Sequence, residues 1–244
     1  MHRFYDPSFD LSQSQVTLSD PKEIHHLKNV LRLKKGDPIG LFNGSGEEAE
    51  GEILGMDAQS VKVKVKNFKK TENKNPKIIL ACAIPKHSKF EWIIEKVTEL
   101  GVDEIIPLKT QRTEVQLKDE RLDRKNSRYQ TVALNAAKQS QRSTVPVVHS
   151  ITPLKDVFEQ LKTKATMVIP SLEEKKTTLL EVLSQMKSPS QIVFFIGPEG
   201  DFTPQEYQLA KNAGCIPVTL GKNILRVETA AITVVAAAHL FFHS

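Results

Sequence analysis

The chain has 244 residues, of which 39% are hydrophobic, and carries a formal net charge of +5. That length supports one large core or two modest ones, and the positive excess suits a polyanionic partner without requiring one. Two cysteines, Cys82 and Cys215, each in an apolar run, read as reduced core residues and are too few for a zinc cluster, so no metal is expected. No run approaches the ~20 apolar residues of a membrane helix, and the polar start MHRFYDPSFD is no signal peptide, which predicts a soluble cytoplasmic protein.

Residues 1–70 read as short strands and turns. Extended pieces fall at 2–5 and 16–18, and Asp20-Pro21-Lys22-Glu23 is a cap, proline, glutamate start for a helix reaching about Leu33. Residues 38–42 and 48–54 flank Asn43-Gly44-Ser45-Gly46, a hairpin turn by composition. Strict alternation of valine and lysine over 61–66 predicts a half-buried strand with a basic outer row, and a small β-barrel would close this set. Residues 69–77, KKTENKNPK, contain no apolar side chain and form the linker candidate, which gives domains at 1–73 and 74–244.

Beyond the linker, strands and helices alternate. Strands are expected at 78–84, 104–108, 145–149 and 165–169. Helices are expected at 89–100 (capped by Ser88, stopped by Gly101), 119–141, from Pro153, and at 177–186. This alternation predicts an α/β domain whose mainly parallel sheet has helices on both faces. From 109 to 142 there are nine basic residues against four acidic ones, a surplus as large as that of the whole chain. It is either a solvated face or an RNA-binding one. Phe4, Tyr5 and Phe42 could stack on bases or fill the core.

The stretch 191–230 organises the rest. The apolar run 192–196 is one buried strand, and it empties into Gly197-Pro198-Glu199-Gly200. Thr203, Pro204 and Glu206 then form a capping box that starts a helix ending near Gly214. A strand over 215–220 delivers a second loop, 221–227, before a last helix that is apolar almost all round, and therefore lies in the core or against a second subunit. Glu199 and Asp201 beside the first loop disfavour a pyrophosphate and suit a ligand that is neutral or cationic, such as a nucleoside bearing a sulfonium.

The strings IGPEGDFTPQE (196–206) and LGKNILRVETA (220–230) resemble the C-terminal signatures of SPOUT-class RNA methyltransferases, specifically the RsmE-type enzymes that methylate N3 of a uridine in 16S ribosomal RNA. Upstream, HHLKNVLRLKKGD (25–37), PKHSKFEWIIEKVTELGVDEIIPL (85–108) and AAKQSQRSTVP (136–146) extend the resemblance over nearly the whole chain. It implies a trefoil-knotted C-terminal domain that binds S-adenosylmethionine, a PUA-like N-terminal barrel that holds RNA, and a homodimer formed through the last helix. The resembled motifs ordinarily carry glycine where Asp201 and Gln141 stand.

The same resemblance implies a donor pocket built from Ile196, Gly197, Pro198, Gly200, Leu220, Gly221, Ile224, Leu225 and Ala230, with Leu172 from a third loop. Uracil N3 must lose a proton, so a cation able to hold the resulting negative charge is needed. Arg226 suits that role, or else pairs with Glu228 or Glu199. Glu199 is a candidate base, or an acceptor that fixes its loop. RNA-binding candidates are Arg3, His25, Arg32, Lys86, Arg112, Gln139 and Arg142, with His25 and Arg32 seven apart and so near one helical face. Two rival functions remain: a SPOUT ribose 2′-O-methyltransferase and a non-catalytic RNA-binding protein. A third, a dinucleotide-dependent oxidoreductase, lacks its glycine fingerprint.

Overall fold

A computed structural model describes residues 1–71, 75–86, 89–113, 119–171 and 177–243. The chain divides into two compact units, Met1–Asn73 with Ala137–Val145, and Lys74–Ala136 with Pro146–Ser244. The cap expected at Ser88 and the pocket residue Leu172 lie outside the described residues.

The first unit is a curled mixed sheet. Its strands are β1 (Arg3–Tyr5), β2 (Gln15–Leu18), β3 (Pro38–Phe42), β4 (Glu47–Met56) and β5 (Val61–Lys70), in the order β1-β3-β4-β5-β2. Only the β1–β3 pair is parallel. Val61, Val63 and Val65 are buried, as their alternation requires, and pack with Phe4, Leu18, Ile39, Leu41 and Ile53. Phe4 and Phe42 are fully buried, so neither is a stacking platform. The outer lysines meet acids across the ladder: Lys66 pairs with Glu52 at 2.7 Å, Lys69 with Glu48 at 3.4 Å and Lys70 with Glu47 at 3.1 Å. Of the alternating row itself only Lys66 is matched in this way among the described residues; Lys69 and Lys70 extend the strand beyond it.

Helix α1 (Pro21–His25) starts where expected, because the Asp20 carboxylate accepts the Lys22 and Glu23 N–H groups at 2.6 and 3.2 Å. It then widens into a π-helical turn over His26–Val30 and stops short of Leu33. Arg32 lies past its end at φ +55°, so the premise that His25 and Arg32 share a helical face fails. Residues 137–145 join this unit through backbone bonds. The Gly46 N–H donates to the Ser143 carbonyl (3.1 Å), and the Val145 N–H donates to the Gly44 carbonyl (2.9 Å).

The second unit is a parallel sheet. Its strands are β6 (Lys77–Ala83), β7 (Glu104–Lys109), β8 (Val147–Val148), β9 (Thr152–Pro153), β10 (Thr166–Pro170), β11 (Thr177–Thr178), β12 (Gln191–Ile196) and β13 (Ile216–Thr219). They run in the order β11-β13-β10-β12-β6-β7-β8, with β9 beside β7, and every pair is parallel. The helices are α2 (Lys89–Glu99), α3 (Asp119–Gln139), α4 (Leu154–Leu161), α5 (Leu179–Gln185), α6 (Pro204–Asn212) and α7 (Val227–Phe242).

Side chains of alternate strand residues feed two cores. Ile78, Leu80, Cys82, Ile192, Phe194 and Ile196 face α2, α3, α5 and α7, whereas Ile79, Ala81, Val193 and Phe195 face α4 and α6. Both cysteines are buried free thiols. Helix α2 ends at Gly101 (φ +94°), a conformation that favours glycine, and a Cβ there would lie 2.4 Å from the His239 imidazole. Among the described residues no helix is long and apolar enough to cross a membrane.

Candidate active site

Parallel pairing brings the carboxyl ends of β10, β12 and β13 to one edge, where open α/β sheets bind ligands. Two described loops leave that edge. The loop after β12 turns sharply: the Asp201 N–H donates to the Pro198 carbonyl at 2.9 Å, and Asp201 itself sits at φ +60°. Helix α6 follows with its capping box complete, Thr203 Oγ accepting the Glu206 N–H and the Glu206 carboxylate accepting the Thr203 N–H. After β13, the 220–226 loop leads into α7, with Arg226 at its N-cap position. The end of β10 completes the site at Pro170 and Ser171, the Ser171 N–H bonding the Val218 carbonyl of β13.

These loops enclose a cavity of about 570 Å³, inside the range of clefts that hold small ligands. Ile196, Gly197, Pro198, Leu220, Gly221, Ile224, Leu225 and Ala230 line it, together with Glu199 and Arg226. Gly200 does not: a Cβ built there would lie 3.3 Å from Arg112 Cδ, and the Arg112 guanidinium bonds the Gly200 carbonyl. The turn directs this glycine at a flexible side chain and away from the cavity. Gly200→Ala is therefore expected to change donor affinity by no more than about twofold by calorimetry, and a loss of tenfold or more would return Gly200 to the pocket wall.

The charges are arranged unevenly. Glu199 Oε1 accepts the Lys86 N–H at 2.9 Å, which ties the loop after β6 to the loop after β12. Glu228 pairs with Lys89 at 3.2 Å. Burial pushes the Glu228 carboxyl up, but its own backbone N–H, Lys89 and Arg226 outweigh that and hold it below the usual carboxylate value. Arg226 is exposed and has no ion-pair partner among the described residues. Burial, with the nearby Glu199 and Glu228 charges, raises the Cys82 thiol far above its ordinary value, so it forms an inert part of the strand floor.

Comparison with known proteins agrees with this geometry. Residues 71–239 match the RNA methyltransferase domain family, and residues 18–66 match the RNA methyltransferase PUA domain family. The ribosomal RNA small subunit methyltransferase E of Rickettsia conorii is 32% identical over 98% of this chain and 95% of its own length. That of Bacillus subtilis is 30% identical over 88% and 86%. The crystal structure of the Neisseria gonorrhoeae enzyme bound to S-adenosyl methionine superposes with a TM-score of 0.87 at 32% identity, covering 99% of this chain and 98% of that one. The chain belongs to the ribosomal RNA small subunit methyltransferase E family.

The chain brings further residues to the cavity that its sequence did not single out, Lys89, Pro170, Ser171, Tyr207 and Thr219, beside Asp201 and Glu228, which it did. Lys89 and Glu228 lie inside the recognised runs, and their opposite charges are the signal that could have paired them. Tyr207 carries no such signal, because a tyrosine one turn into a helix usually packs.

The RNA-binding candidates scatter. Lys86 and Arg112 belong to the second unit and are exposed. Gln139 and Arg142 belong to the first unit, as do Arg3, His25 and Arg32. Helix α3 stops at Gln139, and Gln141 takes φ +59°, turning the chain back into backbone pairing. Arg3 is internally engaged: it bonds the Gln141 carbonyl, pairs with Glu48 at 2.6 Å and lies 4.9 Å from the centre of the Phe42 ring. The basic run 109–142 is also partly matched, Arg128 pairing with Glu91 at 2.6 Å and Lys138 with Glu23 at 2.7 Å.

Proposed function

We propose that this methyltransferase E transfers a methyl group from S-adenosylmethionine to N3 of a uridine in 16S ribosomal RNA, using the cavity at the carboxyl ends of β10, β12 and β13. The observation that carries this is the convergence of both signature loops on one cavity, with Arg226 exposed at its mouth. The residues present fit the donor. Ile224 lines the cavity while 80% exposed, an apolar surface that an adenosyl group would cover. With Glu228 matched by Lys89, the carboxylates of Glu199 and Asp201 remain on the cavity wall, and they suit a sulfonium.

When bound, the donor supplies an electrophilic methyl carbon; everything else falls to the chain. The strand-end backbone orients the two reactants, which is where most of the rate of a two-substrate transfer originates. The Arg226 guanidinium holds the uracil oxygens and stabilises the anion left when N3 gives up its proton to solvent water. Glu199, with one oxygen committed to the Lys86 N–H, holds the turn in place. Lys89 and Glu228 neutralise one another at the cavity wall.

In this reading residues 1–73 hold the RNA and residues 74–244 carry the chemistry, along a trefoil-knotted path in the second unit. The protein acts as a cytoplasmic homodimer through α7, where Leu240 and Phe241 remain 68% and 43% exposed. Affinity for RNA comes from cations such as Lys86 and Arg112. Raising salt from about 50 to 200 mM is therefore expected to weaken RNA binding by about tenfold or more in a filter assay; an affinity indifferent to salt contradicts the electrostatic reading. Mass spectrometry of nucleosides from small-subunit RNA treated with the enzyme and donor tests the chemistry. 3-Methyluridine supports it, and a 2′-O-methylated product assigns the chain to ribose methylation.

A further inference from the structure

We propose that Tyr207 is a positioning residue for the methyl donor. Through Asp201, its hydroxyl latches the 197–201 turn in the shape that forms the cavity. Five observations meet at this pair. Asp201 holds a left-handed backbone conformation, φ +60°, which an aspartate reaches at a cost that glycine escapes. Its Oδ1 accepts the Phe202 N–H at 2.8 Å, which spends one carboxylate oxygen on the turn itself. The Tyr207 hydroxyl lies 2.9 Å from that Oδ1 and 3.1 Å from Oδ2, so it donates to the carboxylate from the first turns of α6. The same hydroxyl is 3.5 Å from the Pro170 carbonyl, which places it between the 197–201 turn and the end of β10. Both Asp201 and Tyr207 line the cavity.

A turn strained at one residue relaxes unless something outside it holds that residue in place. Helix α6 is the outside element here. Its first turn is fixed by the capping box at Thr203 and Glu206, and the Tyr207 ring packs edge-on to Phe202 at 5.7 Å. The hydroxyl thus transmits the rigidity of α6 to a turn whose own backbone would otherwise drift. The Asp201 carboxylate also lies 3.3 Å from where a Cβ on Gly197 would stand, so the turn closes against a cavity residue.

This inference rests on the donor occupying that cavity. Calorimetry with S-adenosylmethionine on the full chain tests both ideas separately. Tyr207→Phe keeps the ring contact with Phe202 and removes only the hydroxyl. It is expected to raise the donor Kd about tenfold, the loss of one hydrogen bond to a charged acceptor, and to raise the donor KM more than it lowers kcat. Asp201→Gly loses the same latch, and the double variant is expected to bind no more weakly than either single one. Unaltered affinity in Tyr207→Phe, or losses that add in the double variant, overturns the latch while leaving the donor site intact. Failure of the unaltered chain to bind the donor removes the site and the latch together. A loss of thermal stability in Tyr207→Phe with no change in Kd or donor KM shows a purely structural pair and likewise overturns the proposal.

Discussion

Replacing Arg226 by alanine is expected to lower kcat about a hundredfold to a thousandfold while S-adenosylmethionine binds within about threefold of its normal affinity. The asymmetry follows from where the side chain stands. Arg226 lies at the N-cap of α7, exposed, lining the cavity and without an ion-pair partner among the described residues. The salt bridge to Glu228 or Glu199 that could have occupied it does not form: Glu228 pairs with Lys89, and Glu199 accepts the Lys86 N–H. An unpaired guanidinium costs little in the resting enzyme and becomes valuable when negative charge develops beside it. Arg226→Lys should recover only part of the rate, because an ammonium is a point charge and cannot reach two oxygens with one rigid fork. Single-turnover methylation and calorimetry on the same variants separate the two quantities. Equal losses in rate and donor affinity would reassign Arg226 to holding the donor.

How much of this was legible depends on which interactions leave a periodic trace. Valine and lysine alternating over 61–66 gave the buried and exposed faces of β5 directly, and the Thr203–Glu206 box marked the start of α6 to the residue. The buried strands β6 and β12 read as continuous apolar runs because both their faces are covered. What stayed hidden depends on backbone pairing or on register. Residues 137–145 join the first unit partly through the carbonyls and N–H groups of Gly44, Gly46, Ser143 and Val145, which no side-chain pattern encodes, and partly through the Lys138–Glu23 ion pair between residues far apart in sequence.

The matching of Lys69 and Lys70 by Glu48 and Glu47 depends on the register shift between Ala49 and Glu50, and Lys66 reaches Glu52 diagonally, so this strand looked more basic than it is. The resemblance offered a partial clue at two points. Asp201 and Gln141 stand where the resembled motifs carry glycine, and both take positive φ. The backbone shape survives there without the residue that makes it easy. At Asp201 the compensating hydrogen bonds are visible, whereas Gly200, which the resemblance also placed in the pocket, turns towards Arg112.

Glu206→Ala is expected to destabilise the protein by about 2–5 kcal/mol, read as a lower urea midpoint with an unchanged slope. Glu206 is only 4% exposed, and its two carboxylate oxygens serve different segments. Oε2 accepts the Thr203 N–H at 2.9 Å, closing the capping box, and Oε1 accepts the Gln111 N–H at 2.8 Å from the loop after β7. Alanine leaves both N–H groups without that acceptor in a site too enclosed for water to replace it freely, at about 1–3 kcal/mol each. Glu206→Gln retains an acceptor oxygen for only one of them and should lose roughly half as much. Donor affinity should fall in step with stability, because Gln111 precedes the arginine that bonds the Gly200 carbonyl and Thr203 follows the 197–201 turn directly. A measured loss below about 1 kcal/mol would mean that solvent satisfies both groups. Helix α6 would then be no fixed anchor for the turn, and the rigidity that Tyr207 passes to Asp201 would need another source.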